Sequence, residues 1–97
     1  FTDTLPLLNL TLLYPFEELQ SLNLSMSNLE GWFDQRQGYK SLGRFRKLEI
    51  MDLSYNYFSR SVFPFLNEVA SLKTLILGGN YIEGAFPVTE LINLTNL

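Results

Sequence analysis

The stretch that decides the fold is residues 48–58, LEIMDLSYNYF. The same pattern occurs at residues 19–29, LQSLNLSMSNL, and at residues 72–82, LKTLILGGNYI. All three follow L-x-x-L-x-L-x-x-N-x-L, with Ser27 in place of the asparagine in the first copy. The copies start at positions 19, 48 and 72, and Leu97 begins a fourth at a similar spacing. Such a nearly regular period predicts a solenoid in which each repeat contacts its neighbours.

The centre of each copy predicts a short β-strand, because apolar residues at the fourth and sixth positions alternate with more variable ones. We expect the apolar set to point inward and successive strands to stack in parallel, about 4.8 Å apart. The ninth-position asparagine should lie inside the coil and bond unpaired backbone groups of neighbouring turns. Asn56 and Asn80 are therefore predicted to form a short buried ladder, with Ser27 as its weak rung. Tyr57 and Tyr81, at the tenth position, should be adjacent and placed to stack.

The composition excludes several classes of function. The 97 residues include 20 leucines and eight asparagines but no cysteine and no histidine, and the formal net charge is −3. Without histidine or cysteine there is no Ser-His-Asp or Cys-His nucleophile, no disulfide and no metal site of nitrogen and sulfur ligands. A glycosidase needs two carboxyl groups about 5–10 Å apart. The neighbours expected beside Asp52 are Asn23 and Ile76, so we predict no enzyme activity and no cofactor.

Charge and hydropathy also limit the classes of partner that this segment could bind. The acidic balance speaks against general nucleic-acid binding, because affinity for phosphate comes from clustered lysine and arginine. Residues 4–16 are the least polar stretch, but they are too short for a membrane helix and contain Pro6 and Pro15, so this segment should not insert into a membrane. Five of the seven basic residues lie between positions 36 and 47. This run could bind an acidic partner or polyanion, but the interpretation we favour is a solvated loop with Phe45 in the core.

The residues after each copy narrow the class of repeat. Gly31, Gly84 followed by residues 86–87, and residues 63–64 extend the pattern to L-x-x-L-x-L-x-x-N-x-L-x-G-x-F-P. This pattern resembles the plant-specific subclass of extracellular leucine-rich repeats, and residues 45–56, FRKLEIMDLSYN, look closest to the ectodomains of plant receptor-like proteins. The resemblance implies an α/β-type leucine-rich-repeat solenoid. Short parallel β-strands would form its concave face, irregular, 3-10 and short extended segments its other sides, and there would be little regular helix.

The same resemblance divides the chain. Residues 1–18 look like a remnant of the junction between an N-terminal cap and the first repeat, so the repeats would be N-terminal ones. Residues 19–97 would hold about three plant-type repeats, starting at 19, 48 and 72, with a fourth beginning at 97. The first repeat carries extra residues, which we expect to form a mobile loop excursion over residues 34–44 because it contains two glycines. Arg60 stands where this class usually has glycine.

Equivalent positions of adjacent repeats should lie side by side, so the outward residues should form columns on the concave face. They are small polar residues with a few aromatic or aliphatic side chains, which suits contact with a peptide or protein. The alternative is a solvated strand face that binds nothing in this part of the array. The candidate ligand-binding residues are Ser21, Asn23, Ser25, Met26, Ile50, Asp52, Ser54, Tyr55, Thr74 and Ile76.

Three Asn-x-Ser/Thr sequons make Asn9, Asn23 and Asn93 candidates for glycosylation. Asn93 is the favoured site, because it should lie on the outward side of the coil, where resembling receptors often carry glycans. A glycan on Asn23 would block part of the concave face, so we expect that sequon to be unused.

The resemblance implies a non-enzymatic segment of a receptor-like protein that binds a peptide, protein or glycan on its concave sheet. It further implies a place on the extracellular side of the plasma membrane, a role in defence or developmental signalling, and a co-receptor kinase as partner. A second hypothesis is a soluble leucine-rich-repeat inhibitor that covers the active site of a cell-wall hydrolase. A third is a truncated relative without autonomous function.

Overall fold

The computed structural model describes residues 6–82. Within them the chain forms short strands joined by turns and 3-10 helices, with a single four-residue α-helix, α1 (Phe63–Leu66). The strands are β1 (Leu7–Asn9), β2 (Ser21–Asn23), β3 (Gly31–Phe33), β4 (Ile50–Asp52) and β5 (Thr74–Ile76). The 3-10 helices are Leu10–Leu13, Gly38–Arg44 and Arg60–Val62. Short parallel strands with little regular helix agree with the expected leucine-rich-repeat fold. The predicted fourth start at Leu97 lies outside the described residues.

The three copies of the repeat supply the three strands of one parallel sheet, in the order β2-β4-β5. Their central residues Leu22, Met51 and Leu75 lie side by side in register. Met51 is fully buried, whereas Leu22 and Leu75 in the flanking strands pack against the core and are partly buried. Period-two alternation therefore places the apolar set inward in each strand.

A second parallel sheet pairs β1 with β3, with Leu7 opposite Gly31 and Asn9 opposite Phe33. The separation of Leu7 and Gly31 along the chain equals that of Leu48 and Leu72, the starts of the second and third copies of the repeat. The described part of the segment interpreted as a cap junction thus contributes a strand that pairs one repeat length ahead, followed by a 3-10 helix.

The same backbone turn leads into each copy of the repeat. The N–H of Leu48 donates to the carbonyl of Phe45, and the N–H of Leu72 donates to that of Val69, at 3.4 and 3.0 Å. Phe45 and Val69 are buried in the core. The corresponding residue of the first copy, Phe16, forms the same turn with its side chain exposed.

The excursion predicted as a mobile loop over residues 34–44 contains regular structure. Its second half is the 3-10 helix Gly38–Arg44, in which Ser41 and Leu42 are buried. This helix packs against α1 from the following turn. The extra residues of the first repeat therefore extend the core, while Tyr39 on the same helix stays exposed.

Candidate functional site

The sheet face consists of the outward side chains of β2, β4 and β5, together with the two turn residues at 25–26, 54–55 and 78–79. Ser54, a predicted ligand-binding residue, is buried at 8% exposure, because its hydroxyl turns back to Asp52. Strand register places each outward residue beside its equivalent from the next turn. Neighbouring strands lie about 4.8 Å apart, so the side chains of one column are in lateral contact range. The two strand columns are Ser21, Ile50 and Thr74, then Asn23, Asp52 and Ile76.

Two of the three strands end in the same side-chain-capped turn. The Oδ1 atom of Asp52 accepts hydrogen bonds from the N–H and the hydroxyl of Ser54, at 2.9 and 2.6 Å. Asn23 accepts the equivalent pair from Ser25, at 2.9 and 2.7 Å. The hydrogen bonds from the Ser54 hydroxyl and N–H lower the pKa of Asp52, so this carboxylate stays ionised near neutral pH.

The next position is left-handed in all three turns. Met26 and Tyr55 have φ angles of 53° and 56°, and Gly79 has 74°. The Tyr55 ring lies over Gly79 so closely that a Cβ atom on the glycine would come within 2.5 Å of a ring carbon. Met26 and Tyr55 are 74% and 66% exposed. The strained turn thus holds two large side chains out from the sheet.

A shallow cleft lies beside the sheet face, where the tyrosines of successive turns meet. The ring centroids of Tyr57 and Tyr81 are 5.5 Å apart with the planes tilted by 36°, which confirms the predicted adjacency. Tyr55, Asn56 and Gly79 complete the lining of a cavity of about 280 Å³. Aromatic rings in this arrangement attract each other and offer apolar faces to solvent.

Asn56 connects its own turn to the preceding one. Its Oδ1 atom accepts from the backbone N–H groups of Ser27 and Leu29, both at 3.0 Å. Its Nδ2 atom donates to the carbonyl oxygens of Leu24 and Leu53, at 2.9 and 3.0 Å. The side chain is buried, so these bonds satisfy backbone groups that water does not reach.

Asn80 repeats the arrangement one turn later. It accepts from the N–H of Phe58 at 2.9 Å and donates to the carbonyl oxygens of Leu53 and Leu77, both at 2.9 Å. The structure thus places the two predicted ladder residues in successive turns, joined through the carbonyl of Leu53. Ser27, at the same position of the first copy, is exposed and its hydroxyl makes one bond of 3.3 Å within its own turn.

The described sequon asparagines both cap turns. Asn9 accepts from the N–H and hydroxyl of Thr11 at 3.1 and 2.7 Å and begins the 3-10 helix that follows. Asn9 is half-buried, whereas Asn23 is exposed on the sheet face. Asn93 lies outside the described residues.

A cluster that the repeat pattern did not predict joins the segment before β2 to the excursion. The hydroxyl of Tyr14 donates to Asp34, whose other oxygen accepts from the N–H groups of Arg36 and Gln37 at 2.8 and 3.0 Å. The guanidinium of Arg44 lies 3.3 Å from the centre of the Tyr14 ring. Burial alone would raise the pKa of Asp34, but the hydrogen bonds and the nearby Arg44 lower it. The bond to Asp34 raises the pKa of Tyr14.

The basic run is partly neutralised by acids from the preceding turn. Arg44 lies 3.9 Å from Glu17, and Lys47 lies 2.5 Å from Glu18. Apart from Arg44, which is partly buried, these side chains are largely exposed, so the two ion pairs stabilise the fold little. They nevertheless pair two of the five clustered basic side chains, which favours a solvated surface over a polyanion site.

Neither a metal site nor a membrane span is found in residues 6–82. This range holds no cluster of three histidine, cysteine, aspartate or glutamate residues able to bind a metal ion. No helix among the same residues is long and apolar enough to cross a membrane.

Comparison with known proteins adds to this geometry. Residues 47–68 match the Leucine Rich Repeat family. Receptor-like protein 45 of Arabidopsis thaliana is 62% identical over 94 residues, which cover 97% of this chain. Receptor-like proteins 9b and 9a of the same plant are 59% and 55% identical over 99% and 100% of this chain. The chain spans 10% of the length of each of these relatives. No solved structure matches it.

Proposed function

Because this chain belongs to the leucine-rich-repeat receptor-like protein family of plants, we propose that it is a non-enzymatic recognition segment that binds a ligand on its sheet face. The ligand would be a peptide, protein or glycan. The strands would continue a solenoid whose sheet is concave, on the extracellular side of the plasma membrane, in defence or developmental signalling. A co-receptor would supply the kinase. Similarity to receptor-like proteins favours this role over a soluble hydrolase inhibitor. The third hypothesis, a truncated relative without autonomous function, predicts that the chain binds no ligand.

One observation supports the proposal most strongly: large apolar side chains stand out from an ordered polar sheet. Ile50 and Ile76 are 43% and 41% exposed on neighbouring strands, and Tyr55 and Met26 project beyond them. Exposed apolar groups set among small polar residues are typical of contact surfaces, where a few anchors carry most of the affinity. Asn56 and Asn80 fix the turns beneath, so the anchors are held in place before a ligand arrives.

Glycosylation is part of the proposal. Asn93 remains the favoured site. Asn23 is the least favoured, because a glycan there would cover the column that contains Asp52. The turn that Asn23 forms with Ser25 matches the one that Asp52 forms with Ser54, so this Asn-x-Ser triplet has a structural reason to exist without modification.

The experiment is a selection of random displayed peptides on the purified 97-residue chain, followed by fluorescence anisotropy with selected peptides. Tyr55→Ser should weaken binding at least about fivefold, because it removes an exposed anchor. The matched control is Tyr39→Ser, which removes an exposed tyrosine from the 3-10 helix Gly38–Arg44 and should leave binding unchanged. Equal affinity of the wild type and Tyr55→Ser, or a loss confined to Tyr39→Ser, would count against the sheet face.

A further inference from the structure

Asp52 carries the one charge among the outward strand residues of the sheet face within residues 6–82. It lies on the central strand β4, flanked by Asn23 and Ile76. No salt bridge to it forms within the described range. Lys73, in the next turn, pairs with Glu49 at 3.1 Å. The sheet face therefore presents a single uncompensated negative charge at its centre.

That charge is not needed for the turn that Asp52 caps. Asn23, which is neutral, makes the same two hydrogen bonds one turn earlier, at 2.9 and 2.7 Å against 2.9 and 2.6 Å for Asp52. A neutral amide therefore suffices at this position of the fold. Both bonds to Ser54 use Oδ1 of Asp52, which leaves Oδ2 to meet a ligand.

The surroundings of Asp52 suit a long cationic side chain. Ile50 precedes it on the same face of the same strand, and Ile76 lies beside it on β5. Both isoleucines are exposed, and the polar residues Ser21, Asn23 and Thr74 occupy the remaining outward strand positions. Lysine and arginine lay their methylene chains along apolar surface while the charged head reaches a polar partner. Asp52 therefore has apolar surface on two sides, from Ile50 along its own strand and from Ile76 across to β5, against which such methylenes can lie.

We propose that the carboxylate of Asp52 binds the ammonium or guanidinium group of a basic peptide side chain. The methylenes of that side chain would lie over Ile50 and Ile76. This inference rests on the recognition role proposed above and names the chemistry of its ligand: an extended peptide with a lysine or arginine. The nearby exposed Tyr55 would take a neighbouring apolar side chain of the same peptide.

The test uses fluorescein-labelled capped hexapeptide mixtures with random flanks and one fixed central residue: lysine, arginine, norleucine or glutamate. Binding to the 97-residue chain is measured by anisotropy at low salt. The lysine and arginine mixtures should bind about fivefold more tightly than norleucine, as expected for an ion pair near a surface. This preference should shrink at about 0.5 M salt, where the screening length falls to a few ångströms.

Asp52→Asn should abolish the preference and leave the fold intact, since Asn23 shows that an amide supports the turn. The substitution creates an Asn-x-Ser sequon with Leu53 and Ser54, so the protein must be made in a host that does not glycosylate. The matched control Glu49→Gln removes a nearby acid that already pairs with Lys73 and should keep the preference. Asn23→Asp, which places a second carboxylate beside Asp52, should strengthen binding of the lysine and arginine mixtures further.

The outcomes separate this inference from the proposed function. Peptides that bind the wild type and lose affinity on Tyr55→Ser, yet show no preference for basic residues or keep it in Asp52→Asn, overturn the role of Asp52 and leave the recognition role standing. Failure of every mixture and every displayed peptide to bind overturns both. A preference lost in Glu49→Gln as strongly as in Asp52→Asn also overturns it, because the effect would then be one of net charge.

Discussion

The three-stranded sheet and the region around β1 and β3 are held by two different kinds of contact. In the sheet the main contacts recur, since Asn56 and Asn80 make corresponding bonds in successive turns. Around β1 and β3 each contact occurs once, as in the bond from Tyr14 to Asp34 and the packing of Trp32 against Phe58. The repeated contacts hold successive strands in the same arrangement, so the sheet face is regular. The contacts that occur once cover the core on the side of β1 and β3.

The largest loss of stability is expected from removing a repeated contact of the three-stranded sheet. Asn56→Ala should lower the free energy of unfolding by about 3–5 kcal/mol, because it leaves buried backbone donors and acceptors without partners. Equilibrium unfolding in urea, followed by circular dichroism, measures the change. Asn23→Ala is the control: its side chain is exposed and caps one turn, so we expect a loss of about 1 kcal/mol. A loss below about 1 kcal/mol for Asn56→Ala would contradict the importance of the ladder.

In the region around β1 and β3, Trp32→Ala is the substitution that removes a contact occurring only once. Trp32 is 7% exposed, and its ring centroid lies 5.2 Å from that of Phe58 and 5.9 Å from that of Phe65. We expect a loss of about 3 kcal/mol from the cavity and the missing ring contacts. Trp32→Phe keeps most of the contact and should cost about 1 kcal/mol.

Hydrogen exchange on Asn56→Ala and Trp32→Ala tests whether the three-stranded sheet and the region around β1 and β3 unfold separately. If Trp32→Ala lowers protection in β3 while β4 and β5 keep theirs, the repeated contacts stabilise the sheet without the unique ones. Equal loss in every strand would show one cooperative unit, and the distinction between the regions would then be one of sequence alone.

The difference between repeated and single contacts also explains which contacts could be predicted from the sequence. A repeat puts the same residue type at the same place in each turn, so the register of β2, β4 and β5 and the adjacency of Tyr57 and Tyr81 follow from spacing. The bond between Tyr14 and Asp34 joins residues that occur at no repeated position. Nothing in their spacing indicates that they meet, because the contact depends on how the excursion folds.

The excursion itself shows the limit most clearly. Two glycines and several charges over residues 34–44 predict a mobile loop, yet the segment contains a 3-10 helix with Leu42 buried. The 3-10 helix packs against α1 and buries Leu42, and this packing stabilises a segment whose local sequence favours a loop. The role proposed for Asp52 does not follow from the repeat pattern either, since it depends on the hydrogen bonds that Asn23 and Asp52 make in their turns.

A smaller effect should follow from Gly79→Ala, which tests how the sheet face is held. The substitution combines a φ angle of 74° with a Cβ atom 2.5 Å from the Tyr55 ring, so we expect a loss of about 1–2 kcal/mol. Gly78→Ala is the matched control, because a Cβ atom there meets nothing within 4 Å. Combining Gly79→Ala with Tyr55→Ser should recover the part due to the clash and keep the part due to φ.

The Tyr14 cluster predicts a dependence of stability on pH at both the acidic and the alkaline ends, whereas the lowered pKa of Asp52 gives the sheet a dependence at the acidic end. The pKa of Asp34 is lowered in the folded chain, so its contribution is present above its ordinary value of 3.8 and is lost as the pH falls through the lower folded value. The pKa of Tyr14 is raised, so its contribution is present below 10.0 and is lost as the pH rises through the folded value.

Tyr14→Phe should therefore lower the melting temperature at pH 7 by less than Gly79→Ala does, and the difference from wild type should narrow at both ends of the pH range. Differential scanning fluorimetry across the acidic and alkaline limits of the folded state would measure it. A difference that stays constant across this range would mean that the hydroxyl contributes through packing, without the linked protonation of Asp34.

The smallest effect is expected where the repeat itself is incomplete. Asn80 donates to one carbonyl in its own turn, that of Leu77, and one in the preceding turn, that of Leu53. Ser27→Asn could reach the own-turn carbonyl of Leu24, which already accepts a bond from Asn56. The gain should therefore be about 0.5 kcal/mol, half of a full rung. A gain of about 2 kcal/mol would mean that the new amide also reaches an acceptor in the turn before β2. The asparagine ladder would then extend to β2, the first strand of the three-stranded sheet.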